Sequence, residues 1–207
     1  MLRRRVLGLS AGLAWALLVG APPSGAQAPG DAERGRAVFS AKECVRCHGS
    51  GGQPGMGPPV EQLRRPQGAY ELAGRLWNHA PAMFVVLRQE GRAWPEISAG
   101  EMADLMAYLQ AEAARDPAPD ISRGQALLVR KGCLKCHRLR GEGGVVGDEL
   151  TQPRAGYESA VVWAAATWSH APRMAEEAKR MGTLYPRFSG EEMGNLVGFL
   201  RSSAKSQ

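Results

Sequence analysis

Cys44-Val45-Arg46-Cys47-His48 and Cys133-Leu134-Lys135-Cys136-His137 together use all four cysteines of the 207-residue chain. Two thiols about one helical turn apart can each bond a porphyrin vinyl group, and the adjacent histidine can ligate the iron, so each stretch reads as a c-type haem attachment site. A zinc site built from paired CxxC motifs separates its halves by about 15 to 20 residues, whereas Cys47 and Cys133 stand 86 apart. A thioredoxin-like thiol pair calls for a βαβ context, and none is visible. Cys44, Cys47, His48, Cys133, Cys136 and His137 are therefore the expected cofactor-binding residues, for two covalently bound haem c groups.

The likeness of the two halves extends beyond these motifs. Gly35-Arg36-Ala37-Val38 answers Gly124-Gln125-Ala126-Leu127 at the offset of 89 that also separates Cys44 from Cys133. Past the motifs the offset becomes 91. There Trp77-Asn78-His79-Ala80-Pro81-Ala82-Met83 answers Trp168-Ser169-His170-Ala171-Pro172-Arg173-Met174, and Trp94-Pro95 answers Tyr185-Pro186. A repeat of this length implies one supersecondary unit used twice. The expected division is a first domain over 31–112, a linker over 113–119 and a second domain over 120–203. Pro117 and Pro119 stop the preceding helix and stiffen the connection; it is too short for the domains to drift far apart, so they are expected to touch.

Within each domain the periodicity is helical. A first helix over 32–42 or 122–131 runs into the CxxCH turn, and a glycine-rich loop follows. A helix then carries the Trp-x-His-Ala-Pro-x-Met segment, with Pro81 and Pro172 expected to break its geometry. Ser98 and Ser189 stand three residues before Glu101 and Glu192, the pattern of a capping box opening the last helix. In that helix Met102, Leu105, Met106 and Leu109 recur at helical spacing, as do Met193, Leu196, Val197 and Leu200. The glycine-rich loops lack the Lys-Ser/Thr and the preceding strand of a phosphate-binding loop, and a carbonyl near Pro58 or Pro59 is expected to receive the His48 ring N–H.

The glycine placed before each CxxCH and the closing amphipathic helix with Tyr108-Leu109 or Phe199-Leu200 resemble class I cytochrome c domains. The resemblance covers 31–201 and implies an all-α fold of two tandem helical domains, each wrapped around one haem. It further implies that the first and last helices cross, with Gly35 facing Tyr108 and Gly124 facing Phe199.

The distal iron ligand departs from the family pattern. Many such domains carry Met-Pro ahead of the last helix, but here Trp94 and Tyr185 precede the prolines. The ligand-type residues repeated upstream are His79 with Met83 and His170 with Met174. The methionines lie 35 and 37 residues beyond the proximal histidine, the histidines 31 and 33. Met83 and Met174 are taken as iron ligands beside His48 and His137, with His79 and His170 the alternative. A thioether would raise the potential relative to a second imidazole. Trp77 and Trp168, beside these candidates, are possible haem-contacting residues whose indole N–H could reach a propionate.

Arg3, Arg4 and Arg5, an apolar run over 6–19 and small residues up to Ala26 form an export signal, with 1–26 the expected signal peptide. The competing reading is an uncleaved anchor, although a run of about 14 apolar residues falls short of the roughly 20 that cross a bilayer. The net charge of +6 includes those three arginines, leaving +3 beyond them. Haem propionates would oppose that charge, so basicity does not argue for nucleic acid. The expectation is a periplasmic or otherwise exported dihaem electron-transfer protein that is not an enzyme. It would work between redox protein donors and acceptors, as a carrier or as a subunit of a periplasmic or membrane complex, with no small-molecule substrate. The alternative is a dihaem enzyme of the peroxidase or sulfur-oxidising type.

Overall fold

The computed structural model describes residues 29–49, 56–152 and 154–205; the expected signal peptide and part of the first glycine-rich loop lie outside them. Eight α-helices dominate these residues: α1 (Ala32–Ala41), α2 (Val60–Leu63), α3 (Ala69–Gln89), α4 (Ala99–Tyr108), α5 (Ile121–Arg130), α6 (Ala155–Glu158), α7 (Ala160–Arg180) and α8 (Glu192–Lys205). The strands are two residues each, Gln67–Gly68 paired parallel with Ala111–Glu112 and Arg138–Leu139 paired antiparallel with Glu142–Gly143. The fold is all-α. Among the described residues no helix is long and apolar enough to cross a membrane.

In each domain the first and last helices cross, α1 on α4 and α5 on α8. The crossing requires glycine, because a Cβ on Gly35 would lie 2.7 Å from the Tyr108 Cβ and one on Gly124 would lie 2.7 Å from that of Phe199. Polar anchors hold the same crossings. Asp104 on α4 accepts from the Asp31 backbone N–H at 2.7 Å and from Arg34 Nε and Nη2 at 3.0 Å, and the arginine holds its carboxyl below the usual range. On α8 the corresponding Asn195 accepts from the Asp120 N–H at 2.8 Å.

Ser98 forms the expected capping box with Glu101. The second box is only half formed, since α8 begins at Glu192, after Gly190 at φ 49°. There the Glu192 carboxylate accepts from the Ser189 N–H at 2.9 Å, while the Glu192 N–H turns to the Ser189 carbonyl.

The 21-residue helices α3 and α7 pack on each other and join the two domains. Contrary to the expected break, both run through their prolines. A proline inside a helix removes the N–H that serves the carbonyl four residues back, here those of Trp77 and Trp168. Both carbonyls receive donors from the other domain: Tyr185 Oη to Trp77 O at 3.3 Å and Trp94 Nε1 to Trp168 O at 3.2 Å. The linker is pinned too, for Asp116 accepts the backbone N–H groups of Ala69 and Tyr70 at 2.9 and 3.0 Å and so caps α3.

Candidate haem-binding sites

At the end of α1, Glu43 adopts a left-handed conformation (φ 60°), and Cys44–Arg46 make one 3-10 turn. Gly132 (φ 72°) and Cys133–Lys135 repeat this after α5. The turn folds each histidine back over its own first cysteine, His48 N donating to Cys44 O at 2.8 Å and His137 N to Cys133 O at 2.9 Å. Each ring is then fixed by a carbonyl: His48 Nδ1 lies 2.9 Å from Pro58 O, and His137 Nδ1 lies 3.0 Å from Asp148 O. A carbonyl can only accept, so Nδ1 carries the proton and Nε2 keeps a lone pair for a metal. The Pro58 partner agrees with the sequence reading. Gly57 and Gly147 permit the approach, as a Cβ on either would come within 2.5 Å of the imidazole.

Helices α3 and α7 supply the opposite side of each cavity. His79 and Met83 line one with His48, and His170 and Met174 line the other with His137. The ring centres of His48 and His79 are 5.9 Å apart with planes at 61°, and those of His137 and His170 are 6.3 Å apart at 56°. Burial, reinforced by the facing histidine, pushes the pKa of His79 and of His170 below the ordinary imidazole value. At neutral pH both are therefore uncharged and able to donate a lone pair.

The cavities, about 290 and 410 Å³ in volume, have largely apolar walls that include Leu72, Leu105 and Leu109 in the first and Leu128, Leu196 and Leu200 in the second. Cys44 and Cys133 edge them, and burial pushes both thiols up to about 11. Arg75 reaches the first cavity and Arg154 the second, where the buried Arg154 Nε has no hydrogen-bond partner among the described residues. A haem c fits this donor set. Such a group would take thioether links from each CxxCH pair, of which Cys44 and Cys133 line the cavities, an imidazole from His48 or His137, and a cation from Arg75 or Arg154 for its carboxylates. A bare zinc ion would want about four protein donors, and no group of three or more His, Cys, Asp or Glu converges among the described residues.

The cytochrome c family model matches residues 32–112 and 121–204. The chain belongs to the cytochrome c family. It carries two tandem cytochrome c domains, and the function of such domains is haem-based electron transfer. Neither a search of curated proteins nor one of solved structures found a match.

The expectation that Trp77 and Trp168 give their N–H to propionates is corrected by the cytochrome's domain interface. Trp77 Nε1 donates to Pro186 O at 2.7 Å and Trp168 Nε1 to Pro95 O at 2.8 Å, each in the other domain. Trp77 stacks on Tyr185 with centroids 4.8 Å apart, and Trp168 on Trp94 at 4.3 Å. Trp94, Tyr185 and the Asp148 carbonyl were not singled out from the sequence. The one signal for the aromatic pair was a tryptophan four residues before a proline in both repeats, which leaves a carbonyl in want of a donor.

Proposed function

We propose that this protein is an exported dihaem electron carrier in which each haem iron is held between two histidines, His48 with His79 and His137 with His170. The ring spacing carries the reading. With metal–imidazole bonds of about 2 Å on each face, two trans imidazoles have ring centres roughly 6 Å apart, as both pairs here do. Met83 and Met174 line the same cavities one turn further along and, on this reading, pack against the macrocycle as polarizable apolar side chains.

A bound haem supplies a one-electron iron couple. The chain's residues decide how that couple is used. The Pro58 and Asp148 carbonyls orient the proximal rings and raise their basicity, while the leucine walls exclude water. Two histidines bound at each site would leave the metal no position for a substrate, which favours carriage over peroxidase or sulfur-oxidising chemistry. The basic and apolar N-terminal stretch supports export to the periplasm, with electrons exchanged there with redox proteins or a membrane-bound or periplasmic complex.

The purified protein is expected to contain two haems per chain by pyridine haemochrome assay. It should give a bis-imidazole EPR signal, show no thioether-to-iron charge-transfer band in the ferric form, and bind no CO when ferrous. His79→Ala should turn the first haem high-spin, whereas Met83→Ala should leave it low-spin. The reverse result would return the iron to Met83.

A further inference from the structure

We infer that each haem site is completed by a tryptophan of the other domain, and that Trp168 thereby tunes the iron of the first domain and Trp77 the iron of the second. The inference rests on the dihaem reading above. Trp168 is 3% exposed and lines the first cavity with Cys44, His48 and His79, although it belongs to α7; Trp77, 5% exposed, lines the second with Cys133, His137 and His170, although it belongs to α3. Neither indole is free to swing. The N–H of each is bonded to a proline carbonyl of the domain it has entered, and its face is stacked on that domain's Trp94 or Tyr185.

The physical effect has a definite sign. Oxidation adds a positive charge at the iron, and a dry, apolar wall stabilises that charge less well than water does. Each indole therefore raises the potential of the haem whose cavity it walls, and a smaller leucine in its place, filling less of that wall, would let water nearer the iron. The two centres are linked structurally as well, because Trp168 stands two residues before His170 on one helix and Trp77 two residues before His79 on the other. A displacement of either helix alters both sites.

The test uses the full-length, haem-loaded chain with Trp168→Leu and Trp77→Leu. Haem-methyl NMR signals are assigned to each domain through contacts with Phe39 or Leu128, and the potential of each haem is followed by titration. Trp168→Leu is expected to lower the potential and move the methyl shifts of the first haem, with the smaller effect on the second; Trp77→Leu should do the reverse. A larger change at the haem of the mutated residue's own domain, or no change at either, overturns the inference. Trp168→Phe keeps an aromatic wall without the N–H and should give a smaller shift of the same sign at the first haem, so the question stays decidable if the leucine variant does not fold. Haem content and the wild-type EPR signal report separately on the dihaem reading, since a chain with two low-spin haems and no cross-domain shift would sink only the inference.

Discussion

The hydroxyl of Tyr185 donates to the main-chain carbonyl of Trp77, the group that Pro81 leaves without its helical N–H. Trp94 does the same for the Trp168 carbonyl below Pro172. A proline that would ordinarily weaken a helix interior is thus turned into a docking point, because the missing donor is supplied from the neighbouring domain.

Tyr185→Phe leaves the Trp77 carbonyl unserved and is expected to cost about 1 to 3 kcal/mol in chemical denaturation. In a Pro81→Ala background the residue-81 N–H can reach the same carbonyl, so the cost of Tyr185→Phe should shrink. The double-mutant cycle measures that coupling; strict additivity would show that the hydroxyl acts elsewhere.

Gly124→Ala forces the α5–α8 crossing apart, as the new Cβ would meet that of Phe199. Overpacking of this kind costs about 1 to 3 kcal/mol. Gly100, in the first turn of α4, has nothing within 4 Å of a new Cβ. Gly100→Ala should leave stability unchanged or raise it by up to about 1 kcal/mol through helix propensity. Thermal unfolding of the two haem-loaded variants separates the cases.

Glu149 is held down to about 2, first by the Thr151 hydroxyl and then by the backbone N–H groups of Thr151, Gly141 and Arg140. A carboxyl whose folded pKa is depressed stabilises the fold above its unfolded pKa near 4, and that contribution disappears as pH falls through the folded value. Glu149→Gln should therefore be less stable than wild type at neutral pH, with the difference vanishing towards pH 2. Because Glu149 adjoins Asp148, whose carbonyl fixes His137, the variant's loss should register first in the spectrum of the second haem.

Asp116→Ala removes the acceptor for the first N–H groups of α3. Loss of a helix cap costs about 1 kcal/mol. Hydrogen exchange should show Ala69 and Tyr70 losing protection while the amides of α7 keep theirs.

The haem attachment turns, the repeat and the crossing of Gly35 with Tyr108 were legible because each is written in local spacing or in the offset between halves. The Ser98 cap was legible for the same reason. The Ser189 cap was legible only in part: the Glu192 carboxylate meets the Ser189 N–H as expected, but Gly190 takes a left-handed turn that defers α8 to Glu192. Helix continuity through Pro81 was hidden for a different reason. The donor that compensates the proline sits 108 residues from the Trp77 carbonyl it serves, and only the packing of α3 on α7 reveals it. The partners of Trp77 and Trp168 were hidden likewise, since a repeat shows which residues are equivalent and not which copy they touch.

Each half of the chain presents an unserved carbonyl, an indole N–H and the acceptor and donor that the other half requires. Such an arrangement is self-complementary in the manner of a two-fold symmetric dimer, where one surface serves as both partners. A change at Trp94 or Pro95 in one half falls on the seat of Trp168 in the other, so a substitution in either domain reaches into both.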